Sequence, residues 1–209
     1  MQKMRGNFKD TYAFFGSADI EGLKNATNIV VERAAKAAKS QVTVTITGDM
    51  LMVSDDGKML DIERAENDLS NCFHCDLNRP LDISAKDFGL SEDARVTLVN
   101  YCSEFMNVKT FEYNGTSNSI EYSMRFERGL PASNSPNARL INDRKRGTSI
   151  HWRFDSSLFY NYTHEIPISY FKERLEELSA RYPQKHFALC IQPDIADPDT
   201  FERYEYKKG

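Results

Sequence analysis

The stretch VSDDGKMLDI at residues 53–62 sets two carboxylates, Asp55 and Asp56, at the end of an alternating apolar run and follows them with Gly57. An ionised carboxylate only accepts hydrogen bonds, so an acid presented at a strand end can read an amino group on a flat heterocycle. A glycine beside it lets backbone and ligand approach closely. Aspartate and glycine are also ordinary turn residues, and a plain hairpin end is the competing reading. Met59 stands where a second glycine would admit a phosphate.

A second cluster that could do chemistry is CFHC, with Cys72, His74 and Cys75. A zinc site takes about four ligands at close spacing. The remaining candidates, Cys102, Cys190, His151, His164 and His186, are dispersed along the chain, so free thiols are expected instead of a metal.

The elements that must position these residues show in the apolar periodicity. Residues 22–39 carry Leu23, Ala26, Val30, Ala34 and Ala37 at helical spacing, which predicts a helix. VTVTI at 42–46 and LMVSD at 51–55 form a hairpin through GDM, and 106–114 with 119–129 form another through NGTSN. GTSIHWRF at 147–154 reads as a strand in which His151 and Trp152 pack. PISYFKERLEELSARY at 167–182 reads as a helix with Ile168, Phe171, Leu175, Leu178 and Tyr182 on one stripe, and KHFALCI at 185–191 as a last buried strand. A short apolar helix is expected around VTLVNYCSEF at 96–105. Between 61 and 95 the sequence is polar and aperiodic, as a functional lid would be. Segregated strands and helices predict an α+β fold, a two-layer α/β sandwich with a mostly antiparallel mixed sheet covered by helices on one face, as one domain over 1–209.

Composition narrows the function classes. The 209 residues carry a formal charge of −4, and the basic residues are scattered apart from RKR at 144–146, so no phosphate-backbone groove and no direct nucleic acid binding are expected. No apolar run reaches the roughly 18 residues of a membrane span, and MQKMRGNFKD lacks a signal-peptide core. A cytoplasmic protein that does not engage membranes is expected.

Several segments together resemble the ATPase domain of bacterial type II topoisomerase B subunits, the gyrase B and topoisomerase IV family. They are TYAFFGS at 11–17, GLKNATNIVVERAAKAA, VTVTITGDMLMVSDDGK, VTLVNYCSEF, GTSIHWRFDSSLF at 147–159, and ISYFKERLEELSARYP with the strand after it. The resemblance implies the Bergerat-type (GHKL) ATPase fold and ATP or another adenine nucleotide as the candidate ligand. It assigns adenine reading to Asp55 and Thr148, with Gly57 at the first glycine after the acid. Where that family presents a catalytic glutamate and a magnesium-binding asparagine four residues apart on its first helix, alignment without gaps places Ile29 and Arg33. Neither can take those roles, because isoleucine accepts no proton and arginine offers no lone pair to a cation. Arg33 is then a replacement phosphate contact, a salt-bridge partner of an acid such as Glu32 or Asp56, or an exposed side chain. The expected phosphate loop is altered too, since FGLSEDARV sets Glu92, Asp93 and Arg95 into it. The reading is a family homologue with no catalytic residue and no magnesium site, acting as a non-hydrolysing nucleotide-binding or protein-interaction module. Its partner is then another protein, with topoisomerase subunits the candidates. The alternative is an ATP-hydrolysing topoisomerase subunit domain with rearranged residues, in which Glu63, Glu66 or Asp68 replaces the lost base.

Overall fold

The computed structural model describes residues 15–57, 92–113, 115, 117–133, 136–159, 166–192 and 200–207. The segment at 61–91, including CFHC, Glu63, Glu66 and Asp68, lies outside the described residues, as do Met59 and residues 11–14.

Helix α1 spans Ile20–Ala37. Asp19 caps it by accepting the Glu21 N–H at 2.9 Å, the usual way an aspartate satisfies an otherwise unpaired first-turn donor. Its far end is held by the buried Lys185, whose Nζ donates to the Ala35 and Lys36 carbonyls at 2.7 and 3.2 Å. An ammonium there answers both the free carbonyls and the negative end of the helix dipole.

Strands β1 (Gln41–Thr47) and β2 (Met50–Asp55) follow as a hairpin. Helix α2 (Glu92–Tyr101) leads into β3 (Ser103–Tyr113), β4 (Ser119–Glu127), the two-residue β5 (Leu130–Pro131), β6 (Asn137–Ile141) and β7 (Gly147–Phe154). Helix α3 (Ile168–Arg181), β8 (His186–Gln192) and β9 (Glu202–Tyr206) complete the described chain. The strands form one sheet in the order β5-β4-β3-β7-β2-β1-β8-β9, with β6 also on β4. All pairings are antiparallel except β1 with β8.

The register sorts side chains into rows across the sheet. Leu51, Trp152, Met106 and Phe126 make one row, and Val44, Val53, Ile150, Val108 and Met124 the next. Both rows face the helices and join Leu23, Val30 and Ala34 of α1, Val96 and Val99 of α2, and Phe171, Leu175 and Leu178 of α3 in one core. The alternate positions, among them Thr43, Thr45, Ser54, Ser149 and His151, are half-buried on the other face. His151 meets the Phe105 ring edge-on, and Trp152 is fully buried against Phe154, so both pack as expected.

Several sequence expectations need correction. The helix predicted over 96–105 stops at Tyr101, because Cys102 turns the chain with its N–H on Leu98 and Val99, and Phe105 and Met106 already alternate in β3. Glu92, Asp93 and Arg95 are not in a loop: they open α2, where acidic residues suit the positive end of the helix dipole. Ile168 is 41% exposed and Ala37 is also exposed, so each stripe is one residue shorter than its spacing suggested. Strands β6 and β9 were not anticipated, since both are largely exposed edge strands without an apolar alternation to betray them.

Trp152 is the largest fully buried side chain among the described residues, so Trp152→Ala should cost about 3–5 kcal/mol. Urea denaturation would show a lower midpoint with an unchanged m-value.

Candidate functional site

The third row of the sheet differs from the two apolar ones. Its members are Val42, Asp55, Thr148, Thr110 and Tyr122, so the register brings a carboxylate and two threonines together on the helix-covered face. Asp55, Thr148 and Thr110 are all buried. Thr110 donates from Oγ1 to the Gly147 carbonyl at 3.1 Å. The family resemblance named Asp55, Gly57 and Thr148 together; in the structure Asp55 is the cross-strand partner of Thr148 and accepts the Gly57 N–H. Thr110 was missed, because nothing local marks one threonine in a strand; only pairing with β7 reveals it.

Asp55 is held asymmetrically. Its Oδ1 accepts the Gly57 N–H at 2.9 Å. Its Oδ2 is buried without a hydrogen bond and lies 3.6 Å from Arg33 Nη1, with the Asp55 and Arg33 side chains only 1% and 7% exposed. At that separation the two charges attract, but the contact exceeds hydrogen-bond length. Burial pushes the Asp55 carboxyl above the usual aspartate range, offset in part by the Gly57 N–H and by Arg33.

Arg33 reaches Asp55 because α1 is turned to point it down at the sheet. Of the alternatives open from sequence, Arg33 takes the ion pair with an acid, and the described acid is Asp55 in place of the Glu32 or Asp56 named as examples. Glu32 lies about 100° further round the helix and faces α3, where Arg174 and Arg181 bind it. Asn28, on that same side, accepts from Arg174 Nε at 2.7 Å. Asp56 accepts the Ser40 and Gln41 N–H groups, each at 2.8 Å, and the Ser40 hydroxyl. These bonds hold its carboxyl below the ordinary value despite the opposing effect of burial. Ile29, one turn before Arg33, is half-buried against the core.

Two glycines make this corner possible. A Cβ on Gly57 would lie 2.2 Å from the Ala37 carbonyl oxygen and 2.8 Å from Asp55 Oδ1. Gly147 has φ +88°, and a Cβ there would sit 1.9 Å from the Asp55 carbonyl oxygen. The close approach that Gly57 permits is therefore to α1. Beyond it opens a cavity of about 570 Å³ whose described lining is Lys39, Asp56, Gly57, Phe111, Glu112, Tyr113 and Arg146, without Asp55. The Arg146 guanidinium lies over the Tyr113 ring, 4.7 Å from its centroid.

Among the described residues no group of three His, Cys, Asp or Glu side chains could hold a metal ion. Cys102 and Cys190 are buried free thiols, and burial pushes Cys102 up to about 12, which makes it a poor nucleophile. No described helix is long and apolar enough to cross a membrane.

No family model and no curated protein sequence matches this chain. A solved structure does: the 43K ATPase domain of Thermus thermophilus gyrase B, crystallised in complex with an aminocoumarin, matches with a TM-score of 0.73. The chain has the fold of that ATPase domain. The match covers 98% of this chain and 51% of the other, at 16% sequence identity. This chain thus spans about half the length of its structural neighbour, and the likeness is one of fold.

Asp56 ties the start of β1 to the end of β2, so Asp56→Asn should cost about 1–2 kcal/mol at neutral pH. Because its folded pKa is lowered, the stability it contributes is present above the unfolded value, near 3.8, and is lost as pH falls through the folded value. Urea unfolding of both proteins at pH 7 and below pH 3 should show the difference shrinking in acid.

Proposed function

We propose that this chain is a non-hydrolysing binding module built on the gyrase-B-like ATPase fold, with Asp55, Gly57 and Thr148 forming the corner that receives an adenine nucleotide. The observation that carries this reading is the distribution of charge on α1. The helix has two carboxylates, Glu21 and Glu32. Glu21 pairs with Lys24 in its exposed first turn, and Glu32 is bound by two arginines on the α3 side. The face turned toward Asp55 carries Ile29 and Arg33 instead.

A general base must come within hydrogen-bond reach of the water it activates, and losing one costs about 10²-fold to 10⁴-fold in rate. Glu21 and Glu32 are held in ion pairs away from Ile29 and Arg33, the positions that align with the family's base and magnesium ligand. The neighbouring fold supports the ligand class, and the acceptor chemistry of Asp55 beside a threonine suits an amino-bearing ring. Such a module acts through contact with another protein, and topoisomerase subunits are the partners the fold suggests.

Purified protein with magnesium and ATP should release no phosphate above the blank. ADP and ATP at about 100 times their Kd should each add about 2.7 kcal/mol and raise the unfolding midpoint by about 5–10 °C, equally with and without magnesium. Robust magnesium-dependent phosphate release would overturn the reading.

A further inference from the structure

The space that a ligand's amino group would use at Asp55 is already claimed from within the chain. Arg33 presents an N–H-bearing cation to Oδ2, the chemistry that an amino donor on a heterocycle would bring to the same atom. We propose that Arg33 is an intrachain latch on the nucleotide corner: it closes Asp55 to ligands in the resting protein, and an aminopurine binds by displacing it. This inference rests on the reading of Asp55 as the ligand's acceptor.

Three observations support a latch over a permanent structural bridge. The first is the geometry: 3.6 Å between Nη1 and Oδ2 leaves the carboxylate charge-compensated but Oδ2 without a hydrogen bond. A neutral N–H donor that reaches Oδ2 supplies the hydrogen bond to an ionised acceptor that the 3.6 Å ion pair lacks. The second is the asymmetry of the carboxylate. Oδ1 is anchored by the Gly57 N–H in the tightly packed corner, so the carboxylate stays oriented while Oδ2 changes partner. The third is the cavity beyond Gly57, which opens beside the corner and carries Arg146 and Lys39 as cations to meet the anionic part of a nucleotide, on a wall they share with Asp56 and Glu112. Neither of these two cations has a carboxylate partner among the described residues.

A latch taxes apparent affinity by the fraction of molecules in which it is open. Removing the cation while keeping the bulk of its side chain should remove the tax for ligands that use Oδ2. The test is calorimetric titration of wild-type protein and Arg33→Met with ADP and with inosine diphosphate, whose ring carries a carbonyl in place of the amino group. Arg33→Met should bind ADP on the order of tenfold tighter than wild type, corresponding to a latch closed about nine-tenths of the time, and its affinity for inosine diphosphate should not change.

Equal, measurable ADP affinity in both proteins would overturn the latch and leave the binding reading standing. Equal gains for both nucleotides would also overturn it, because the gain would then bypass Asp55. Binding of neither nucleotide to either folded protein would remove the aminopurine reading and the latch with it. If circular dichroism shows that Arg33→Met does not fold, Arg33→Gln takes its place, with the same discrimination between the two nucleotides and a smaller gain.

Discussion

A carboxylate enclosed between a helix and two strands must be answered by a positive charge, or it must be neutral. In this protein that demand falls on Asp55, and Arg33 meets it across the gap between β2 and α1. The pairing accompanies the rotation of α1 over the sheet that the apolar contacts of the core also select. With Arg33 turned down, Leu23, Val30 and Ala34 enter the core, Ile29 lies along the same face, and Asn28 and Glu32 turn to α3. Removing one member of such a pair strands the other in a poorly solvated place, which typically costs about 3–5 kcal/mol. Structure and site are thus coupled through one contact.

The surrounding corner is packed on backbone atoms. Gly57 and Gly147 allow the end of β2, the start of β7 and the last turn of α1 to approach within distances no side chain would tolerate. Lys185 and Asp56 then tie the same region from above and from the side, one on the α1 carbonyls and one on the amides that begin β1. Local rigidity of this kind orients a carboxylate well. It also leaves the open volume next to the corner, along Lys39, Phe111, Tyr113 and Arg146, and not directly over Asp55.

Fold and chemistry separate cleanly. A TM-score of 0.73 at 16% identity means that the apolar rows and helix faces needed for this sandwich survive extensive substitution. Such rows need only apolar side chains of suitable volume at alternate positions, a requirement many sequences satisfy. Chemistry requires named groups at fixed positions, so a shared fold does not by itself confer an activity. Here α1 keeps the apolar pattern that packs it on the sheet, while the face toward Asp55 presents an alkyl side chain and a guanidinium.

Much of the architecture was legible in the amino-acid order because it depends on local periodicity. The alternation of VTVTI and GTSIHWRF and the 3.6-residue spacing of α1 and α3 each report burial on one side of one element. The turn from α2 into β3, and the edge strands β6 and β9, were not legible, because exposed or short elements carry no such signal. At the site, the sequence by itself determined that an acid, a glycine and a strand threonine were present in a suggestive order. That they meet, that Thr110 joins them, and that Arg33 faces Asp55 instead of Glu32 or Asp56 was decided only in three dimensions. Strand register and helix rotation are set by the sum of contacts across the whole core, and neighbours brought together from 22 or 93 positions apart, as Arg33 and Thr148 are to Asp55, leave no trace in local spacing.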